Sequence, residues 1–116
     1  MSSTVFGVSF DAQDAYAIAS FWSQVLGRPV ADGGTVERAS IDAEPTVAGS
    51  RIGFNRVTEG KSVKNRLHFD LVTKDFGAEV DRLIALGASK LNEVNAGGHW
   101  ATLADPEGNE FDVIAG

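Results

Sequence analysis

The chain has 116 residues, 16 acidic and 10 basic, with 43% apolar residues and no cysteine. That size fits one domain, 1–116, and the net charge of −6 argues against the basic face of a nucleic-acid binder. Without cysteine there is no disulfide scaffold, thiolate metal site or cysteine nucleophile, which fits a reducing compartment.

In chain order, Val5–Phe10 is rich in β-branched and aromatic residues and is predicted as a strand. Asp11 or Asp14 can then cap a helix by accepting free first-turn N–H groups. Ala15, Ile18, Ala19, Trp22, Val25 and Leu26 recur at three- and four-residue steps, the apolar stripe of an amphipathic helix. Gly27 ends it and Pro29 prevents its continuation. Short strands follow at 36–41 and 51–57, with a weak one near Val30. Turn residues separate them: Asp32-Gly33-Gly34 and Glu44-Pro45. Residues 58–65 are polar and form the connector.

The second half repeats the plan. Leu67, Phe69 and Leu71 alternate with His68, Asp70 and Val72, a strand with two distinct faces. Asp75 is expected to cap a helix with the stripe Phe76, Val80, Leu83 and Ile84, stopped at Gly87. Strands follow at 90–94, 100–104 and 110–114, separated by Ala96-Gly97-Gly98 and Asp105-Pro106-Glu107-Gly108-Asn109. Residues 1–60 and 61–116 each carry a net charge of −3.

The fold class that results is α+β: two tandem βαβββ modules, 4–58 and 66–115, forming curled mixed sheets around a cleft. One face of each sheet covers its helix, and Phe6, Val8, Phe10, Ile52, Phe54, Leu67, Phe69, Leu71, Phe111 and Val113 suit it. Alternation places Gly7, Ser9, Arg51, Gly53, Asn55, His68, Asp70, Glu110 and Asp112 on the opposite, concave face. A face so polar suggests a solvated or ligand-filled cleft.

This doubled plan resembles the vicinal oxygen chelate superfamily: glyoxalase I, bleomycin-resistance proteins and extradiol dioxygenases. Phe21-Trp22-Ser23-Gln24-Val25-Leu26-Gly27 resembles the end of the family's first helix. Asp105-Pro106-Glu107-Gly108-Asn109-Glu110-Phe111-Asp112 resembles its approach to the last strand. Arg66-Leu67-His68-Phe69-Asp70-Leu71 is most similar to the short glyoxalase-like members. The resemblance implies the glyoxalase-like fold and a homodimer, whose partner chain can complete the cleft. It also places metal ligands on the first and last strands of each module. His68 and Asp112 fall at these places in the second module, Gly7 and Gly53 in the first. Two of four ligand positions are therefore lost, and the expectation is no resident cofactor. A divalent metal on His68 and Asp112, helped by Asp70, Asn55 or Glu110, is the alternative.

His68 is the leading functional candidate, with Asp70 beside it for proton transfer. Its bland reading is a histidine hydrogen-bonded to Asp70 or Asp112. His99, at a loop junction, reads as structural or exposed. Trp22 belongs to the helix stripe but is also a candidate ligand contact. Trp100, after Gly97-Gly98, can stack on a flat ligand or simply pack within its strand. Arg51 can take an anionic ligand, and Arg51, Asn55 and Ser9 border the gap left by Gly53, which can hold substrate. The Asp105–Asn109 segment reads as a turn.

Three functions follow. The first is a glyoxalase-like protein binding or converting a small oxygenated or aromatic metabolite without the full metal-ligand set. The second is a metal-dependent lyase, isomerase or dioxygenase using His68 and Asp112. The third is a protein that sequesters a small molecule such as an antibiotic, without catalysis. A ferredoxin-like dimer is disfavoured by the repeated Leu-Gly helix stop. The expected partners are a small molecule and a second copy of the chain, not nucleic acid or a membrane. No apolar run approaches the roughly 20 residues of a membrane span, and Met1–Val5 lacks signal-peptide character, so the expected location is cytoplasmic.

Overall fold

A computed structural model describes residues 2–116. The chain forms two compact units, Met1–Gly60 and Lys61–Gly116. The first contains β1 (Gly7–Ala12), α1 (Ala15–Leu26), β2 (Arg38–Ile41) and β3 (Arg51–Arg56). The second contains β4 (Asp70–Thr73), α2 (Phe76–Leu86), β5 (Ser89–Asn95), β6 (His99–Ala104) and β7 (Glu110–Ala115).

The two sheets follow one plan. In the first the strand order is β1-β3-β2, with β1 parallel and β2 antiparallel to β3. In the second it is β4-β7-β6-β5, with β4 parallel to β7 and the remaining pairs antiparallel. The strand corresponding to β5 is reduced in the first unit to an isolated bridge between Val30 and Ile41. The architecture is α+β with two modules.

Each helix begins and ends where its sequence directs. Asp14, not Asp11, caps α1: its Oδ1 accepts from the Ala17 N–H at 3.0 Å. Gly27 ends the helix at φ 67°, where glycine carries no Cβ penalty. Ile18, Ala19, Phe21, Trp22 and Val25 are buried against the sheet. Trp22 packs on Phe10 at 5.6 Å and meets Phe21 edge-on at 5.4 Å. Together with Ile41 and Phe54 it forms the first core. Burial of each such side chain stabilises by roughly 1.5–3 kcal/mol.

The second unit has a thinner helix contact. On α2 only Val80 and Leu83 are buried, against a sheet core of Leu103, Phe111 and Val113. Ile84, expected on the apolar stripe, is 41% exposed. Asp75 takes the cap position, but its side chain makes no capping bond. Its carbonyl accepts from Glu79 N–H, and its own N–H donates to Thr73 Oγ1 at 3.3 Å.

Three further expectations are corrected. Val36 and Glu37 precede β2 rather than belonging to it. β4 starts at Asp70, so His68 lies before it, while the Phe69 carbonyl already accepts from Asp112 N–H at 2.9 Å. Asn65 explains the late start: its side-chain amide donates to the Glu110 carbonyl and its N–H to the Glu110 carboxylate. Phe6 and Leu67, assigned to the helix-facing set, are 77% and 73% exposed. Each lies eight residues before its helix cap position, upstream of the paired strand.

Candidate functional site

Side chains paired across neighbouring strands share a face. In the second unit Phe111, Val113, Ala101 and Leu103 are buried on the face towards α2. The other face is built of two adjacent rows. One row is polar and runs Asp70, Asp112, Thr102 and Asn92 across β4, β7, β6 and β5. The next is apolar and runs Val72, Ile114, Trp100 and Val94.

His68 joins the polar row from just before β4. Its Nδ1 lies 3.0 Å from Asp70 Oδ1. One ligand atom from each of His68, Asp70 and Asp112 lies within 4.8 Å of the others. Thr102 Oγ1 donates to Asp112 Oδ1 at 2.6 Å, fixing that carboxylate while leaving its second oxygen available. An imidazole and two carboxylates form a hard, nitrogen-and-oxygen donor set that suits a borderline or hard divalent cation. The donor chemistry and spacing therefore fit a metal.

Glu110 lies on the same face but is committed elsewhere. Its carboxylate accepts from Asn65 N–H at 2.9 Å and pairs with Lys61 at 3.2 Å. The Asn65 bond, reinforced by Lys61, lowers its pKa from the usual glutamate value. His99 is also tied down: Nε2 lies 2.8 Å from Glu93 Oε2, and its ring centroid is 4.0 Å from that of Phe76. The Lys90 and His99 contacts hold the Glu93 pKa down. Asp105 is a buried turn anchor, with Oδ1 accepting from Glu107 and Asn109 N–H groups at 2.9 Å.

The equivalent face of the first unit has glycine, Gly7 and Gly53, where the second has His68 and Asp112. Aligning the helix cap positions Asp14 and Asp75 makes Gly7 equivalent to His68, and Ser9 equivalent to Asp70. Strand pairing then makes Gly53 equivalent to Asp112 and Ser40 equivalent to Thr102. A Cβ at Gly7 would collide with the Arg51 carbonyl, so glycine is required by the close approach of β1 and β3. A Cβ at Gly53 would lie 2.9 Å from Arg51 Nη1 and 3.0 Å from Ser9 Oγ. The gap expected at Gly53 is thus covered by Arg51.

Of the predicted site residues, the fold brings together His68, Asp70 and Asp112, with Trp100 one row away. Arg51 and Ser9 meet separately over Gly53. Asn55 pairs with Asp11 and Arg38 in the next row of that sheet. Trp22 is 1% exposed, sealed under Phe10 and Phe21, and offers no surface to a solute. The sequence reading missed Thr102, Ile114 and Ser40. Period-two alternation on β2, β6 and β7 was the available signal.

A glyoxalase-like domain model matches residues 7–114. The chain belongs to the glyoxalase-like domain family. Its fold is that of the glyoxalase, bleomycin-resistance and fosfomycin-resistance superfamily, the vicinal oxygen chelate proteins. It is similar to a glyoxalase/bleomycin resistance protein/dioxygenase family enzyme from Burkholderia phytofirmans PsJN. That match has 26% identity and a TM-score of 0.74, covering 97% of this chain and 98% of the other. The fosfomycin resistance protein FosX from Listeria monocytogenes shares the fold at TM-score 0.77 and 15% identity. It was solved with Mn(II) and 1S,2S-dihydroxypropylphosphonic acid, and the match covers 100% and 92% of the two chains. The bleomycin-binding protein of Streptomyces verticillus, complexed with copper(II)-bleomycin, matches at TM-score 0.63 and 20% identity, covering 100% and 99%. No curated protein matches the sequence. Among the described residues, no helix is long and apolar enough to cross a membrane.

Proposed function

We propose that the protein binds a small oxygenated metabolite on the exposed face of the second sheet. The observation that carries this reading is the polar cluster of His68, Asp70 and Asp112 beside the apolar row of Val72, Ile114 and Trp100. Ligand oxygens would meet the cluster, and an apolar or aromatic part would lie along the row, with Trp100 offering a stacking face.

His68, Asp70 and Asp112 would hold a divalent cation there, and Thr102 would orient Asp112. Such an ion supplies Lewis acidity towards a bound oxygen. Where His68 is not a ligand, its Nε2 is instead the atom placed to accept or return a proton, and Asp70 orients the imidazole through Nδ1. That arrangement suits a lyase, isomerase or dioxygenase. Metal-free binding is the second reading, favoured by the His68–Asp70 contact, which gives both groups a partner without an ion. We also infer a homodimer, for which exposed Val63, Leu67 and Val72 are apolar side chains available for cover. Sedimentation at one chain mass would contradict it.

Catechol is a suitable probe, because it joins two adjacent oxygens to an aromatic ring. Added to zinc-loaded protein, it is expected to shift the Trp100 indole and Thr102 amide NMR signals saturably. Asp112→Ala should weaken this about tenfold or more. No shift, or an undiminished shift in Asp112→Ala, would contradict the proposed site.

A further inference from the structure

Arg51 is a half-buried cation with no anion. Among the described residues its guanidinium makes no hydrogen bond or ion pair. Its aromatic partner is the face of Phe6, 5.4 Å from Cζ to the ring centroid. A cation–π contact positions a guanidinium but uses none of its five N–H donors.

The guanidinium lies over Gly53. Gly53 lacks the side chain that would otherwise occupy the space under Nη1. Ser9 and Ser40 pair with Gly53 from opposite sides, so both hydroxyls share a face with Arg51. Ser9 Oγ lies beside Nη1 there, 3.0 Å from where a Gly53 Cβ would sit. Neither serine side chain has a protein hydrogen-bond partner among the described residues. The adjoining row, Asp11, Asn55 and Arg38, carries one charge of each sign and so leaves Arg51 uncompensated.

We infer that Arg51, Ser9 and Ser40 form an oxyanion-binding subsite over Gly53 in the first unit, which takes the carboxylate, phosphate or phosphonate group of a small metabolite. The guanidinium fork matches two oxygens of such a group, and the serine hydroxyls can supply further donors. The Phe6 ring contacts the guanidinium without using any of these donors. All these residues lie in the first unit and none is a candidate metal ligand, so the subsite stands independently of the proposal for His68, Asp70 and Asp112.

The test is an amide NMR titration of chelating-resin-treated protein with inorganic phosphate, methylphosphonate and acetate, at constant ionic strength set by chloride. At least one of the three should move the Ser9, Ser40 and Gly53 amides and the Arg51 side-chain Nε–H saturably. A response to acetate alone assigns a carboxylate, and a response to the tetrahedral anions alone assigns a phosphate or phosphonate. Arg51→Met should weaken the response about tenfold or more, and Arg51→Lys less, because lysine keeps the charge but loses the fork. Gly53→Ala, which places a methyl group against Nη1, should weaken it while the dispersed spectrum of the folded protein remains. Absence of saturation with all three anions in the wild type would overturn the subsite. So would a response that persists unchanged in Arg51→Met.

Discussion

The two units share a strand plan, yet they use its equivalent positions in opposite ways. In the second, the row Asp70, Asp112 and Thr102 presents oxygen atoms, joined by His68. In the first, the equivalent row is Ser9, Gly53 and Ser40, with Arg51 folded over its centre. The neighbouring rows differ too: Val72, Ile114 and Trp100 in one unit, Asp11, Asn55 and Arg38 in the other. A repeated backbone therefore does not imply a repeated site. The first unit carries a cation and hydroxyl donors where the second carries acceptors.

The helices differ in the same manner. α1 buries Ile18, Phe21, Trp22 and Val25, whereas α2 buries only Val80 and Leu83. Trp22→Ala is therefore expected to cost about 3–5 kcal/mol in denaturant unfolding, as for other buried aromatic truncations. Ile84→Ala, on the partly exposed edge of α2, should cost less than about 1 kcal/mol. Equal losses would remove this contrast between the units.

The glycines give a sharper test. Glycine normally weakens a strand, so Gly7→Ala should stabilise β1 if space allows. The Arg51 carbonyl leaves no such space, and the substitution should instead destabilise by about 1–3 kcal/mol. His68→Gly, at the equivalent place in the second unit, should change stability by less than about 1 kcal/mol. A stabilising Gly7→Ala would show that this position could accommodate a side chain after all.

The smallest effect concerns Glu110, whose charge is held by Asn65 and Lys61 rather than by the polar cluster. Its folded-state pKa lies below the ordinary value of 4.5. The linked stability is fully present above that ordinary value and is lost as pH falls through the lowered one. Glu110→Gln should remove this part of the acid dependence, reducing stability at pH 7 by less than about 1 kcal/mol. Thermal unfolding between pH 7 and 3 measures it. An unchanged acid profile in Glu110→Gln would contradict the role given to Asn65.

Much of the architecture is legible in the residues, because local signals and burial agree there. Asp14, the α1 stripe and Gly27 define one helix, and alternation on β7 separates Phe111 and Val113 from Asp112. The second half's first strand was overread because Leu67 and Phe69 alternate as a strand would. Asn65 binds Glu110 ahead of them, a contact 45 residues apart that no local pattern carries. For the candidate site, alternation and family register single out His68, Asp70 and Asp112, which the fold brings together. The covering of Gly53 by Arg51 was not legible, since it depends on a side-chain conformation and on the Phe6 ring.

The proposed cation site lies on the second sheet, and the first sheet has glycine at the equivalent places. Calorimetric titration of metal-stripped protein with Mn(II) tests it most directly, in the wild type, His68→Ala and Arg51→Met. One cation per chain is predicted for the wild type and Arg51→Met, with binding lost in His68→Ala. No uptake by the wild type, or uptake undiminished in His68→Ala, would contradict it.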